Sequence, residues 1–321
     1  MSYDERAVFL DRDSVDRNDL DCRAFAEELP GLESFGATSP ADTIERVGDA
    51  RIVITNKVRV DANVLAHCSQ VELIVIAATG ANNIDLEATA ARGITVCNAR
   101  NYATSSLAQH VFALILSLSR NLPAYVDATR AGRWNQSPFF CLLDHPIADL
   151  TDQTLGIIGH GVLGSAVAEL GKAFCMNVLI SEHRDRQPRQ GRVAFEELLQ
   201  QSDVISLHCP LTPETTHLIG AAELRAMKSH AILINTARGG IVDEKALLDA
   251  LVDGEIGAAG IDVLETEPPD GSSPLLTVSR SDLLITPHNA WASRRARQAL
   301  IDQMTEIIAA WRSGQPINTV T

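Results

Sequence analysis

The run Ile157-Ile158-Gly159-His160-Gly161-Val162-Leu163-Gly164 constrains the fold of this chain more than any other segment. An apolar stretch, Leu155 to Ile158, leads straight into G-x-G-x-x-G, and a helical pattern follows from Ser165 to Phe174. The next apolar run is closed by an acid, Glu182, 18 residues after the last glycine. Strand, glycine turn, helix, strand and acid in that order describe a βαβ unit shaped for a dinucleotide. Gly159 permits the tight turn, Gly161 lets the backbone approach a pyrophosphate, and Gly164 lets helix and strand pack closely. The free N–H groups and positive end of the helix face the phosphate charge. Glu182 is placed to accept hydrogen bonds from the ribose hydroxyls. The alternative, a plain glycine-rich turn, would not need the flanking strand, helix and acid.

Short apolar runs alternate with helical stretches along most of the chain, which predicts α/β architecture with parallel sheets. A first set of strands is expected at Ala7–Leu10, Arg51–Thr55, Leu73–Ala77 and Ile94–Cys97, with helices near 61–67 and 85–91. A second set is expected at Leu155–Gly159, Val178–Ser181, Val204–Leu207, Ala231–Asn235, Ala258–Asp262 and Leu283–Thr286. Leu107, Val111, Leu114, Ile115 and Leu118 recur at helical spacing and mark the buried side of a long helix near 104–120. The polar stretch 130–149, dotted with Trp134, Phe139 and Phe140, reads as a loop or arm. Because the nucleotide fold begins near mid-chain, two doubly wound domains, flavodoxin-like or Rossmann-like, are expected with a cleft between them. Residues 1–103 and 291–321 would form a discontinuous substrate-binding domain, and 104–290 the dinucleotide-binding domain.

Bulk properties exclude several classes. A formal net charge of −14 with no lysine/arginine block disfavours nucleic-acid binding. The apolar run Val111 to Leu118 is far short of the ~18 residues of a membrane span. Met1 to Arg6 is charged and partly acidic, unlike a signal peptide. The six cysteines, at 22, 68, 97, 141, 175 and 209, contain no C-x-x-C, so neither a zinc framework nor a disulfide scaffold is expected. These features together predict a soluble cytoplasmic protein with no metal.

Three strand ends carry candidate chemistry. Arg238, in Asn235-Thr236-Ala237-Arg238-Gly239-Gly240, follows a strand of the nucleotide domain, at the end where ligands bind in such sheets. A guanidinium there can grip a carboxylate and polarise an adjacent carbonyl; a surface ion pair is the alternative. The run from Gly260 to Pro269 contains Asp262, which could face a cofactor, and Glu267, biased toward extended backbone by Pro268. His288, in Thr286-Pro287-His288-Asn289-Ala290-Trp291, suits the proton transfer that accompanies hydride transfer, and Glu267 is a candidate to orient it. In the first domain, Ala77 to Asp85 could form an anion nest, although an ordinary strand-to-helix turn capped by Asp85 is the favoured reading of those residues alone.

Together these blocks resemble the D-isomer-specific 2-hydroxyacid dehydrogenase family. The matching pieces are Thr79 to Asp85, Gly159 to Gly164, Asn235 to Glu244, Asp262 to Pro268 and Thr286-Pro287-His288. A finer likeness, to the glycerate dehydrogenase or hydroxypyruvate reductase branch, lies in Gly132 to Pro138, Phe140 to Leu143 and His288 to Ser293. The resemblance implies that Arg238 binds the substrate carboxylate and keto oxygen. It makes His288 the proton donor in reduction and the base in oxidation, and it has Glu267 hold His288 protonated for reduction. Backbone N–H groups of Thr79 and Gly80 would anchor the carboxylate. Val162 and Leu163 would lie against the pyrophosphate, with Cys209, Thr236, Ala237 and Asp262 along the nicotinamide half. It further implies a homodimer paired through the nucleotide domain, with the arm at 130–149 as the contact.

Three positions depart from the family pattern. Cys175 stands where many relatives have glycine, which is expected to affect packing only. Gln109 replaces a common glutamate in the linker helix. Glu182 replaces aspartate; it should repel a 2′-phosphate and favour NAD, while His183 and Arg184 beside it leave NADP open. The expected reaction is reduction of hydroxypyruvate or glyoxylate to D-glycerate or glycolate. Another dehydrogenase, such as one acting on phosphoglycerate, and a nucleotide-sensing corepressor are the alternatives. Formate oxidation fits less well, because it needs no histidine–glutamate pair for proton transfer.

Overall fold

A computed structural model describes residues 5–320; the reading of the amino terminus as unlike a signal peptide rests largely on Met1–Asp4, outside the described residues. The chain divides into two compact units, Met1–Ala103 with Ala292–Thr321, and Thr104–Trp291. Trp291 goes with the second unit, where its indole Nε1 donates to the His288 carbonyl over 3.0 Å.

The first unit is a five-stranded sheet of β1 (Ala7–Phe9), β2 (Leu32–Ser34), β3 (Ile52–Thr55), β4 (Leu73–Ile76) and β5 (Thr95–Asn98). The strand order is β2-β1-β3-β4-β5 and every pairing is parallel. Helices α1 (Arg23–Glu28), α2 (Thr43–Val47), α3 (Ala62–His67) and α4 (Leu86–Ala91) connect the strands. The central strands Ile-Val-Ile-Thr and Leu-Ile-Val-Ile are buried at every position, as a parallel sheet covered on both faces requires. β2 and helices α1 and α2 were absent from the sequence expectation. β2 is a short edge strand, mostly exposed, with one large apolar residue and no alternation to betray it.

The second unit opens with α5 (Thr104–Ser119) and α6 (Leu122–Arg130), then continues as a second sheet. Its strands are β6 (Thr154–Ile158), β7 (Asn177–Ile180), β8 (Val204–Leu207), β9 (Ile232–Asn235), β10 (Ala258–Ile261) and β11 (Leu283–Ile285). The order is β11-β10-β9-β8-β6-β7, again all parallel. Numbered within the unit this is 2-1-3-4-5-6, the doubly wound order of the first unit with one strand added. Helices α7 (Val162–Ala173), α8 (Phe195–Gln201), α9 (Ala221–Ala226) and α10 (Glu244–Asp253) link these strands. The α5 residues Leu107, Val111, Leu114, Ile115 and Leu118 are all buried, within a core that also takes in Leu155, Ile157, Val167 and Ile234. Asp243 caps α10 by accepting from the Ala246 N–H, and Gly254 ends it at φ 70°.

The last helix, α11 (Arg294–Arg312), returns to the first unit and packs against α1 and β4. Arg297 pairs with Asp19 at 2.6 Å, and Arg312 with Glu5 and Glu28, each at 2.5 Å. Among the described residues no helix is long and apolar enough to cross a membrane, no three-residue group could hold a metal, and all six cysteines are unpaired.

Helix α7 begins at Val162, not Ser165, so the fingerprint's last three residues, Val162, Leu163 and Gly164, lie in the helix's first turn. At its other end Cys175 sits at φ 58°, the left-handed conformation that favours glycine. The Cys175 and Met176 N–H groups close the helix on the carbonyls of Lys172 and Gly171. The departure at 175 therefore acts on the backbone; the side chain is exposed, and the expectation of a packing effect is corrected.

Candidate active site

The turn after β6 lies at the topological switch point, where β6 is flanked by β7 and β8. Gly159 adopts φ 93°, and a Cβ there would come within 2.6 Å of the backbone at His208 and Cys209. A Cβ on Gly164 would stand 2.1 Å from the Gly159 carbonyl oxygen. These two glycines are thus required by the protein's own packing. Gly161 differs: a Cβ there would meet nothing within 4 Å among the described residues, so the space beside it is open. Gly161 is also the N-cap of α7 and offers no side-chain cap. Val162, 53% exposed, and Leu163 follow it in the first turn. The cleft beside this turn measures about 630 Å³ and includes Glu182 and Cys209 in its lining, a size typical of small-molecule sites. Burial pushes the Cys209 thiol up to about 11.

Glu182 stands at the end of β7 as the spacing requires, but its carboxylate is not open to a ribose. The side chain is 1% exposed. Arg189 Nε donates to Oε2 over 2.6 Å and Nη2 to Oε1 over 2.8 Å. The N–H groups of His183 and Arg189 add bonds of 2.9 and 3.4 Å. The Arg189 guanidinium, first among these causes, holds the carboxyl well below the usual range. Sequence reasoning missed this partner, because a loop residue seven positions away carries no periodic signal.

Beyond β9, the Asn235 side chain ties the turn together, donating to the Arg238 carbonyl over 2.9 Å and accepting from the Ala237 N–H over 3.1 Å. Arg238 is half-buried and its Nη1 donates to the Ala237 carbonyl over 2.6 Å. A Cβ on Gly239 would fall 1.8 Å from the Leu264 carbonyl oxygen. Glycine there presses the Arg238 loop onto the loop after β10, which carries Glu267. The hydroxyl of Thr236 is buried with no hydrogen-bond partner among the described residues. Such a group is rare, and a ligand amide or hydroxyl would satisfy it.

His288 and Glu267 meet. His288 Nδ1 lies 2.6 Å from Glu267 Oε2, while Oε1 accepts from the Leu264 N–H over 2.9 Å. The ring is thereby oriented through Nδ1, which directs Nε2 away from the glutamate. His288 itself is held at φ 49°, unusual outside glycine and asparagine. Asp262 imposes this turn. Its carbonyl accepts from the His288 N–H over 2.8 Å, and its buried carboxylate accepts from the N–H groups of Asn289 and Ala290 over 3.0 and 2.9 Å. The Thr286 hydroxyl donates to the same carboxylate over 2.6 Å and is also 3.0 Å from His110 Nε2 on α5. Asp262, expected to face a cofactor, is engaged as the buckle of the His288 turn. The role of His110 had no counterpart in the sequence reading.

In the first unit, Thr79 and Gly80 follow β4. The Thr79 hydroxyl donates to the Ala99 carbonyl over 2.9 Å, and the Asn98 side chain donates to the Thr79 carbonyl over 2.6 Å. Asp85 caps α4 through the Ala88 N–H at 2.9 Å, the ordinary strand-to-helix arrangement.

The glycine turn, the uncapped start of α7, the open face of Gly161 and the unpartnered Thr236 hydroxyl suit a dinucleotide, and the His288–Glu267 pair suits proton transfer. A family profile described as "D-isomer specific 2-hydroxyacid dehydrogenase, NAD binding domain" matches residues 112–290. The chain belongs to the D-isomer specific 2-hydroxyacid dehydrogenase family, a class of oxidoreductases acting on CH–OH groups. It is 45% identical to a glycerate dehydrogenase from Methylorubrum extorquens, over 98% of this chain and 99% of that one. Identity to a hydroxypyruvate reductase from Blautia hydrogenotrophica is 34%, over 98% and 99% of the two chains. Among solved structures, a D-lactate dehydrogenase from Aquifex aeolicus complexed with NAD and lactic acid superposes with a TM-score of 0.82 at 29% identity, covering 98% of this chain and 99% of that one.

Proposed function

We propose that this chain interconverts a 2-keto acid and a D-2-hydroxy acid with a nicotinamide dinucleotide, reducing hydroxypyruvate to D-glycerate, and glyoxylate to glycolate, in the cytoplasm. The observation that carries the reading is the His288–Glu267 pair, 2.6 Å apart, in the same unit as the glycine turn. When bound, the nicotinamide supplies the hydride. Gly159, Gly161, Val162, Leu163 and Gly164 would hold the pyrophosphate, Glu182, closed off by Arg189, would border the adenosine end without bonding the ribose directly, and Cys209, Thr236 and Ala237 would line the nicotinamide half. The Nε2 of His288 gives a proton to the keto oxygen in reduction and takes it back in oxidation, with Glu267 fixing the ring and balancing its charge. Arg238 binds the substrate carboxylate and polarises the carbonyl. Thr79 and Gly80 are the backbone donors that the first unit offers to a carboxylate. Asp262 contributes by holding the His288 turn.

We further assign a homodimer. Support comes from the stretch 130–149, where Trp134, Phe139, Phe140 and Leu143 are 52, 72, 91 and 78% exposed. Its backbone is nonetheless ordered by its own bonds, among them Trp134 Nε1 to the Phe140 carbonyl and Arg133 to Asp144. An apolar surface held in shape matches an interface.

The test is absorbance at 340 nm with NADH or NADPH and a panel of 2-keto acids. Steady loss with hydroxypyruvate or glyoxylate is the expected result. No loss with any keto acid would defeat the reading.

A further inference from the structure

His288 sits in a left-handed turn, at φ 49°, and such a turn persists only where its surroundings over-determine it. The segment from Thr286 to Ala290 is held from two sides. The carboxylate of Asp262 grips it from the end of β10. Two side chains of α5, four residues apart and so on one face of the helix, grip it again. The Ser106 hydroxyl donates to the Ala290 carbonyl over 2.9 Å, and His110 Nε2 lies 3.0 Å from the Thr286 hydroxyl oxygen.

The direction of the His110 contact follows from counting protons. A threonine hydroxyl has one, and that of Thr286 is given to Asp262 Oδ1 over 2.6 Å. Its oxygen is left to accept, so His110 Nε2 carries the hydrogen between them. The direct separation of His110 Nε2 from Asp262 Oδ1 is 3.6 Å, too long for a hydrogen bond. His110 therefore reaches Asp262 through the threonine. The series ends on the carboxylate that accepts from the Asn289 and Ala290 N–H groups on the far side of His288. Packing alone does not call for an imidazole here. The buried stripe of α5 runs through Leu107, Val111, Leu114, Ile115 and Leu118, while the His110 side chain is 21% exposed beside it.

We propose that His110 is a positioning residue for the reaction: its N–H sets the Thr286 hydroxyl, Thr286 sets the Asp262 carboxylate, and that carboxylate keeps the His288 imidazole where proton transfer needs it. This rests on the dehydrogenase reading above. A displacement of about 1 Å at a reacting group is worth up to about 10² in rate.

Three variants of the full chain test it. His110→Leu removes the N–H, His110→Gln places an amide N–H near the position of Nε2, and Thr286→Val keeps the shape of the side chain without its hydroxyl. Hydrogen exchange of the segment 286–291 is read by mass spectrometry, with kcat for hydroxypyruvate and NADH, and NADH affinity by titration. In His110→Leu the segment should exchange about five- to tenfold faster. Its kcat should fall by about 10- to 100-fold, with NADH affinity within about twofold of the parent. His110→Gln should recover most of both losses. Thr286→Val should match His110→Leu, and the double variant should be no worse than either single one, because both interrupt one series of bonds. Should His110→Leu fail to fold, His110→Gln and Thr286→Val still carry the test. Parent-level exchange and kcat in His110→Leu or Thr286→Val, equal losses in His110→Leu and His110→Gln, or additive losses in the double variant overturn this inference and leave the dehydrogenase reading intact. A parent that reduces no keto acid overturns both.

Discussion

At the scale of single residues, the proposed chemistry is concentrated in a contact whose position was legible and whose support was not. His288 and Glu267 could be named from their strand-end positions, and they lie 2.6 Å apart. Replacing His288 with alanine removes the proposed proton donor while leaving the nucleotide turn untouched. Turnover should fall by about 10² to 10⁴, with nucleotide affinity by titration nearly unchanged. Turnover near that of the parent would remove His288 from the mechanism. The residues that position the histidine were harder to see. Asp262 is separated from the turn it holds by a loop and a strand, so its carboxylate's partners at 286, 289 and 290 emerge only on folding. Arg189 is the same kind of case, an exposed loop arginine that becomes the main partner of a buried acid.

At the scale of elements, sequence reading succeeded where burial dictates composition. Parallel strands covered on both faces must be apolar throughout, and β3, β4, β8 and β9 announce themselves in that way. It failed where burial is slight, as in β2, and where elements are only a turn or two long, as in α1 and α2. Helix α7 was placed but its start was read three residues late, since glycine and valine weigh against a helix. Its far end yields a stability prediction. Cys175 occupies the left-handed position just past the helix, at φ 58°. Glycine adopts that geometry without the clash of a Cβ, so Cys175→Gly should stabilise the protein by about 1 kcal/mol. Thermal or urea unfolding checks this, and a lower midpoint would refute it.

At the scale of the whole molecule, two global properties follow from local facts. The first is acid sensitivity. Burial pushes His208 down to about 4 from the usual 6.5 of a histidine. The unfolded chain therefore holds the extra proton between those values, and native stability falls as pH drops from about 6.5 toward 4. Glu182, Asp203 and Glu223, whose pKa values are lowered, add their losses further down, through the carboxylate range. Urea midpoints between pH 7 and 4.5 should show His208→Gln losing less than the parent, by on the order of 2 kcal/mol; parallel curves would count against it. The second property is assembly. Phe140→Asp combined with Leu143→Asp places charge on the exposed arm, and light scattering should move from twice the chain mass to the mass of one chain. A parent already monomeric would exclude the dimer. The bent backbone at His288 bears on how such a protein evolves. Left-handed geometry is relaxed for glycine and costs other residues about 1–2 kcal/mol. Heat tolerance alone would thus reward replacing the imidazole proposed to carry the proton, and on that proposal only simultaneous demand for activity keeps it in place.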